Sequence, residues 1–96
     1  MRALVISQQN LHDPERIETY RKQVAATLAP FGGEFVVRGG ATSVVEGTWP
    51  FERTVIIEFP SREMAEAWYR SAAYQKLLPL RLESTNGNLV IVDAVD

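Results

Sequence analysis

The sequence predicts an α+β fold in which an antiparallel sheet carries its helices on one face. Three short apolar runs, at residues 3–6, 55–57 and 89–92, are typical of buried strands. Two stretches with apolar residues at helical spacing lie between them, the first after Asp13 and the second after Ser61. Together with a strand-like stretch from Glu34, they give the order β-α-β-β-α-β, the split βαβ arrangement of a ferredoxin-like sheet.

Length and composition narrow the class of protein. The chain has 96 residues, 46% apolar and 23% charged, so it fits one compact domain over residues 1–96. It has no cysteine, which excludes disulfides, thiolate metal clusters and thiol nucleophiles. Its net charge is −2 with dispersed basic residues, so we expect no nucleic-acid partner. The first apolar run is too short for a membrane span or a secretory segment, so we expect no membrane partner and a cytoplasmic location.

The first strand is predicted over residues 2–9, and the first helix follows it. The helix begins at Asp13-Pro14, because the carboxylate can accept a bond from a first-turn amide and proline suits the first helical position. It runs to about residue 29, where Pro30 and the pair Gly32-Gly33 end it. The apolar stripe that covers the sheet consists of Ile17, Tyr20, Val24, Leu28 and Phe31.

The middle of the chain is predicted to form a β-hairpin. Its first strand begins at residue 34 with Phe35 and Val37 on one face, and Gly39-Gly40 kinks it before it resumes over residues 42–46. Residues 47–51 form the loop. The second strand covers residues 52–59 and places Arg53 on one face and Glu58 on the other.

The last third of the chain is predicted to contain a broken helix and a final strand. Ser61 caps the helix, and a break is expected near Ser71 because Pro79 is incompatible with an uninterrupted helix. The helical segment ends near residue 84. Asn86-Gly87 then reads as a turn before a strand over residues 89–92.

One face of this sheet has no helix to cover it. The strands at residues 4–6, 55–57 and 89–92 are nevertheless apolar on both sides. A second copy of the chain, packed sheet against sheet, would cover the exposed apolar face. The sequence therefore predicts a homodimer through the sheet face.

Several motifs spread along the chain resemble one known family. They are Tyr20, the segments at residues 31–40, 45–49, 53–60 and 67–71, Tyr74-Gln75 and Leu80-Arg81. Each motif is weak alone, but together they cover nearly the whole chain. On these residues the sequence resembles the uncharacterised proteins grouped as domain of unknown function 1330, in the dimeric α+β barrel superfamily.

The resemblance implies a dimeric α+β barrel and brings no established activity. The chain departs from the family at Ala72-Ala73, where proline and an acidic residue are common, and at Asp93-Ala94, where Asp-Gly is common. Both departures lie at the ends of elements and concern local turn geometry. Relatives by fold, such as small monooxygenases and lactone isomerases, imply a cavity that holds a small organic molecule.

Three arginines, Arg38, Arg53 and Arg81, are the main candidates for a site, because each lies in or beside an apolar segment where an unpaired guanidinium is costly. They allow two interpretations. In the first, Glu46 and Glu58 pair with them in a structural network that fixes strand register and dimer geometry. In the second, the arginines orient a small carboxylate or enolate while a desolvated Glu58 moves a proton.

Other residues with reactive side chains give weaker signals. His12 is the sole histidine and is expected in a surface turn, so the sequence predicts no metal site. No nucleotide-binding or nucleophile motif is present, so we expect no cofactor. Trp49 and Trp68 are candidates for either packing or a pocket. Ser71 and Tyr74 fall at the predicted helix break, where their hydroxyls can face a cavity.

Two functions remain open at the level of sequence, and whether the chain is an enzyme is left undecided. The first is a dimeric barrel that binds a small organic acid or aromatic metabolite and catalyses cofactor-independent proton transfer. Glu58 and Tyr74 would act on the substrate, and the substrate-binding residues would be Arg38, Trp49, Arg53, Trp68, Ser71 and Arg81. The alternative is a non-catalytic binding or assembly module whose charged residues are structural.

Overall fold

A computed structural model describes residues 1–95 and confirms the predicted α+β, ferredoxin-like architecture. The four-stranded sheet has the order β2-β3-β1-β4, and every neighbouring pair is antiparallel. The elements in chain order are β1 (Ala3–Leu11), α1 (Pro14–Leu28), β2 (Glu34–Arg38), β3 (Arg53–Phe59), α2 (Arg62–Arg70), α3 (Ala72–Ser84) and β4 (Thr85–Asp93), with a 3₁₀ turn (Ala29–Phe31) after α1.

Side-chain caps start the helices where the sequence predicts them. An oxygen of Asp13 accepts a bond from the amide of Arg16 at 3.1 Å, and Pro14 is the first residue of α1. Ser61 caps α2 in the same way. None of the helices described over residues 1–95 is long and apolar enough to cross a membrane.

A single serine produces the predicted break between α2 and α3. The Ser71 hydroxyl donates to the carbonyl of Trp68 at 2.7 Å and accepts from the amide of Tyr74 at 3.3 Å. It thus ends one helix and starts the next. The argument from Pro79 is wrong, since α3 continues through that residue to Ser84. Burial of Leu77 and Leu78 beside the proline offsets the hydrogen bond that it removes.

The predicted hairpin is shorter than expected. No strand forms over residues 42–46, and the whole connection over residues 39–52 lacks regular structure. The predicted turn at Asn86-Gly87 is also wrong, because these residues lie in β4, where they pair with Asn10 and Gln9 of β1. Pairing with the central strand therefore extends β4 well beyond its apolar run.

The irregularity of β2 lies between Phe35 and Val37, not at the glycine pair. Phe35 pairs with Ile57, and Arg38 pairs with Val55, both of which face the helices. The expectation that Phe35 and Val37 share a face is therefore wrong. The extra residue in the strand brings the Arg38 side chain to the helix side.

The hydrophobic core lies between the sheet and the helices. Trp68 of α2 is at its centre, with ring centroids 5.4 Å from Phe59 of β3 and 4.1 Å from Tyr74 of α3. Val24 and Leu28 of α1 complete the core, and both belong to the apolar stripe that the sequence predicts for this helix. The core thus fixes α1, α2 and α3 on a single face of the sheet.

The opposite face of the sheet carries apolar side chains that no described element covers. One row crosses all four strands, because Val37 pairs with Ile56, Ile56 with Ile6, and Ile6 with Val90. Val90 and its neighbour on this face, Val92, are exposed. We refer to this surface as the open face.

A substitution at Gly87 tests how closely β4 pairs with β1. A Cβ atom at this position would overlap the Gln8 carbonyl oxygen and lie 2.7 Å from the Cα of Gln9. Since backbone atoms cannot move aside without shifting the strand, we expect Gly87→Ala to lower the free energy of unfolding by about 1–3 kcal/mol. Urea denaturation measures this. Gly40→Ala is the control, because a Cβ there meets nothing within 4 Å; equal losses in both variants would contradict the close pairing.

Candidate functional site

A cavity of about 40 Å³ lies between the sheet and the helix layer. Its floor includes Ser7 and Gln9 of β1 and Arg53 of β3, and Tyr20 of α1 lines it from the helix side. Arg38 of β2 also lines the cavity and is exposed, so the cavity reaches the protein surface at this residue.

The charge of this cavity is entirely of one sign. Arg21, Arg38, Arg53 and Arg81 line it, and none of the lining residues in the described chain is acidic. Within residues 1–95, Arg21 is the only one of the four with a carboxylate within 4.0 Å, that of Glu18 at 3.9 Å. A cavity with several cations and no carboxylate among its described lining residues favours an anion.

The predicted pairing of these arginines with glutamates is wrong. Glu58 points to the open face and pairs with Arg2, whose Nη1 lies 2.6 Å from Glu58 Oε1. Glu46 lies exposed in the irregular connection. Arg38 instead donates from Nη2 to the Arg21 carbonyl at 2.9 Å and stacks 4.2 Å from the centre of the Phe35 ring.

Arg53 is the least compensated of the four arginines. Within residues 1–95 its guanidinium has no hydrogen bond or ion pair, and its Nε is buried. Burial lowers the pKa of Arg53, and the positive charges of Arg21 and Arg38 lower it further. Gly39 lies directly against the guanidinium at a φ of 73°, and a Cβ there would overlap the Arg53 side chain. The backbone directly after β2 thus makes room for an unpaired charge.

Two neutral polar groups beside Arg53 also lack partners. Ser7 and Gln9 are 5% and 6% exposed, and the Ser7 Oγ and Gln9 Oε1 atoms have no hydrogen bond within the described chain. Gln9 is the direct cross-strand neighbour of Arg53. Because buried polar groups are nearly always hydrogen-bonded, a floor with three such groups indicates that water or a polar ligand completes the site.

A chain of hydrogen bonds joins the helix side of the cavity to the core. The hydroxyls of Tyr20 and Tyr74 lie 2.9 Å apart, and Arg81 Nε donates to the Tyr74 hydroxyl at 3.2 Å. Tyr74 is fully buried, and Arg81 is 8% exposed. Burial and the neighbouring Tyr74 raise the pKa of Tyr20 far above its usual value, although the charges of Arg81 and Arg38 oppose the shift.

The structure gathers some of the predicted site residues and separates others. Trp68 is buried, lines the cavity, and donates from Nε1 to Thr27 Oγ1 at 2.9 Å. Trp49 is 45% exposed in the irregular connection, and Ser71 acts as a helix cap. The predicted residues that line the cavity are Arg38, Arg53, Trp68 and Arg81, with Tyr74 bonded to Arg81 behind it; Trp49, Glu58 and Ser71 do not line it.

Sequence reasoning missed Tyr20, Arg21, Ser7 and Gln9. Tyr20 was placed in the apolar stripe of α1, and its need for a hydroxyl partner was the only signal of a further role. The buried positions of Ser7 and Gln9 follow from strict alternation along β1 with Ala3 and Val5. The predicted strand over residues 2–9 already contains both residues, so this alternation is readable from the sequence.

No metal cluster is evident in the described residues. Residues 1–95 contain no group of three His, Cys, Asp or Glu side chains that could hold an ion. His12 is exposed in the turn before α1, as predicted, and its amide donates to the Ser84 carbonyl at 2.8 Å. Cations and neutral hydrogen-bonding groups are therefore the chemistry that the cavity offers.

Comparison with known proteins bears on both family and fold. A family model described as Domain of unknown function (DUF1330) matches residues 2–95. The RPA0582 protein of unknown function from Rhodopseudomonas palustris is similar in structure, with a TM-score of 0.78 and 15% identity over 99% of this chain and 83% of that chain. No curated protein matches the sequence significantly.

Two further solved structures share the fold at low identity. SnoaB, a cofactor-independent oxygenase from Streptomyces nogalater, has a TM-score of 0.65 and 10% identity over 99% of this chain and 94% of that chain. A dimeric ferredoxin-like protein of unknown function from Thermobifida fusca has a TM-score of 0.60 and 13% identity over 96% of this chain and 88% of that chain. Such identities establish a common fold and no common activity.

The raised pKa of Tyr20 has a consequence for alkaline stability. The unfolded chain loses this proton near pH 10, whereas the folded chain retains it to higher pH. The contribution of Tyr20 to the free energy of unfolding is therefore fully present below pH ~10. Above that pH it falls by up to about 1.4 kcal/mol per pH unit. We expect the stability difference between wild type and Tyr20→Phe to narrow between pH 10 and 11, as measured by urea denaturation. Tyr69→Phe is the control. A difference in stability between wild type and Tyr20→Phe that stays constant from pH 10 to 11 would contradict the raised pKa of Tyr20.

Proposed function

This chain belongs to the family of the domain of unknown function DUF1330, as its motifs predict, and we propose that its cavity binds a small organic acid as the anion. One observation carries the proposal: the cavity is lined by arginines and contains no carboxylate to neutralise them in the described chain. An anion on the floor would give Arg53 the acceptor that it lacks. Guanidinium groups suit this task because they bind carboxylates through charge-assisted, often paired hydrogen bonds.

The size of the cavity restricts the ligand to a small acid. A volume of about 40 Å³ corresponds to roughly three water molecules, at ~10–15 Å³ for each. Pockets for larger organic ligands measure ~300–1,000 Å³. Of the two ligand classes that the sequence suggested, the small organic acid therefore fits and the aromatic metabolite does not.

The residues present favour binding over proton transfer. Glu58, the expected base, lies on the other face of the sheet. None of the lining residues in the described chain is a carboxylate or an imidazole. Groups that donate hydrogen bonds can stabilise negative charge on a ligand, but a proton acceptor is needed to create it. The proposal is thus a binding site, with any reaction depending on a base that these residues do not supply.

Replacement of Arg53 tests this site. We expect Arg53→Met to weaken acetate binding at least tenfold, because the main unpaired cation is lost. The variant should be no less stable than wild type without ligand, since it removes a costly charge and keeps the apolar stem. Thermal unfolding in sodium acetate, compared with sodium chloride at equal ionic strength, reports binding as a shift in Tm.

The matched control for this experiment is Arg70→Met. Arg70 is an exposed arginine of α2 that pairs with Glu66 and does not line the cavity. The Arg70→Met variant should show the same shift in Tm in sodium acetate as the wild type. Wild-type protein that shows no shift with formate, acetate or propionate would refute the proposed function.

We also propose that a second copy of this chain covers the open face. The apolar row of Val37, Ile56, Ile6 and Val90 runs across the whole sheet. An exposed apolar surface of this kind marks an interaction site in a small domain. The likeness to a ferredoxin-like protein described as dimeric supports a second copy as the partner.

A charged residue introduced at the centre of the open face tests the proposed dimer. We expect Ile6→Lys to yield monomers at micromolar concentration, because its ammonium would be buried between two apolar sheets. Sedimentation velocity measures the mass, and circular dichroism checks that the fold remains. Leu82→Lys is the control, since Leu82 is 59% exposed on α3, on the helix side. A wild-type protein that sediments as a monomer would contradict the proposal.

A further inference from the structure

We infer that Tyr20 donates a hydrogen bond to the bound ligand and that the ligand is a small 2-oxo acid, with its carboxylate on Arg53 and its oxo group on Tyr20. The inference rests on the proposed anion site and specifies its ligand. It follows from the direction of the hydrogen bonds around Tyr74 and from the placement of polar groups on opposite sides of the cavity.

The hydrogen bonds around Tyr74 have only one satisfactory direction. Arg81 Nε can only donate, so the Tyr74 oxygen accepts from it at 3.2 Å. Tyr74 is fully buried, and within residues 1–95 the Tyr20 hydroxyl, at 2.9 Å, is the one acceptor near its proton. Because an unpaired buried hydroxyl proton is costly, Tyr74 donates to Tyr20.

This direction leaves the proton of Tyr20 available. Its oxygen accepts from Tyr74, and no other described residue lies within hydrogen-bond distance of it. Tyr20 lines the cavity, where an acceptor on a bound ligand can take this proton. Burial raises the pKa of Tyr20, so the hydroxyl keeps its proton at neutral pH and acts as a donor rather than a base.

The polar groups of the cavity come from two layers of the fold. Arg53, Gln9 and Ser7 belong to the sheet, whereas Tyr20 belongs to α1. When both oxygens of a carboxylate bond to Arg53, Tyr20 needs a further acceptor on the helix side. A 2-oxo acid presents a carboxylate and a carbonyl oxygen on adjacent carbons, so a molecule of only a few atoms can serve both sides.

Two contacts of this kind discriminate strongly between a 2-oxo acid and an acid without the oxo group. A site that hydrogen-bonds a ligand oxygen discriminates against the analogue without it, because the buried donor is then left unpaired. Hydrogen bonds that involve a charged partner are also stronger than neutral ones. The preference therefore depends on the Tyr20 hydroxyl, while binding of any carboxylate depends on Arg53.

Pyruvate and propionate separate these two contributions. We expect wild-type protein to bind pyruvate at least about tenfold more tightly than propionate in NMR titrations. Tyr20→Phe should lose this preference and bind pyruvate no better than propionate. Tyr69→Phe removes a hydroxyl that does not line the cavity, and it should keep the preference.

A second measurement needs no change at Tyr20. The chain has three tyrosines, so labelling their Cζ atoms with ¹³C gives three signals in wild-type protein. Pyruvate should shift the Tyr20 signal, and propionate should leave it nearly unchanged. This readout remains valid if Tyr20→Phe fails to fold.

The outcomes distinguish this inference from the anion site on which it rests. Equal affinities for the two acids in wild type would overturn the inference and leave the anion site intact. A preference for pyruvate that survives in Tyr20→Phe would overturn the role of Tyr20. Binding of neither acid to wild type would overturn both the anion site and the inference.

Discussion

An uncompensated guanidinium between a sheet and a helix layer is the constraint on which the rest of this structure depends. Arg53 stands on the inner face of β3, and no described residue pairs with it. A small domain buries little surface to offset such a cost. The neighbouring features are arranged around it: Gly39 leaves space for the group, and Ser7 and Gln9 surround it with neutral dipoles. The protein thus gives up stability at the proposed anion site, a common compromise in functional proteins.

The helices hold this arrangement from the other side. Ser71 joins α2 to α3, and on either side of it the rings of Trp68 and Tyr74 pack against each other in the core at an interplanar angle of 43°. Tyr74 in turn links Arg81 to Tyr20. A capping serine with no contact to the cavity therefore determines the position of groups that line it, which explains its place in the motif at the helix break.

The sequence predicted the elements that depend on local chemistry and failed where pairing between strands decided the outcome. The caps at Asp13 and Ser61 are local, and both were predicted correctly, whereas at Ser71 the sequence predicted the helix break but not the cap that produces it. The extension of β4 through Gly87 is imposed by β1, which no window of sequence reveals. For the site, alternation already placed Arg53 and Glu58 on opposite faces, so their separation was predictable. The convergence of Tyr20 with Arg81 required the packing of α1 on α3.

The one-residue irregularity between Phe35 and Val37 also bears on how this family can diverge. If the same residues paired regularly, without the extra residue looped out, Arg38 would turn from the cavity to the open face, because side chains alternate along a strand. Such a change of register would remove one cation from the proposed anion site and place a charge on the open face, where we propose that a second copy packs. On these proposals, ligand binding and assembly both depend on the pairing register of β2, so relatives that pair this strand regularly are expected to differ in both properties at once.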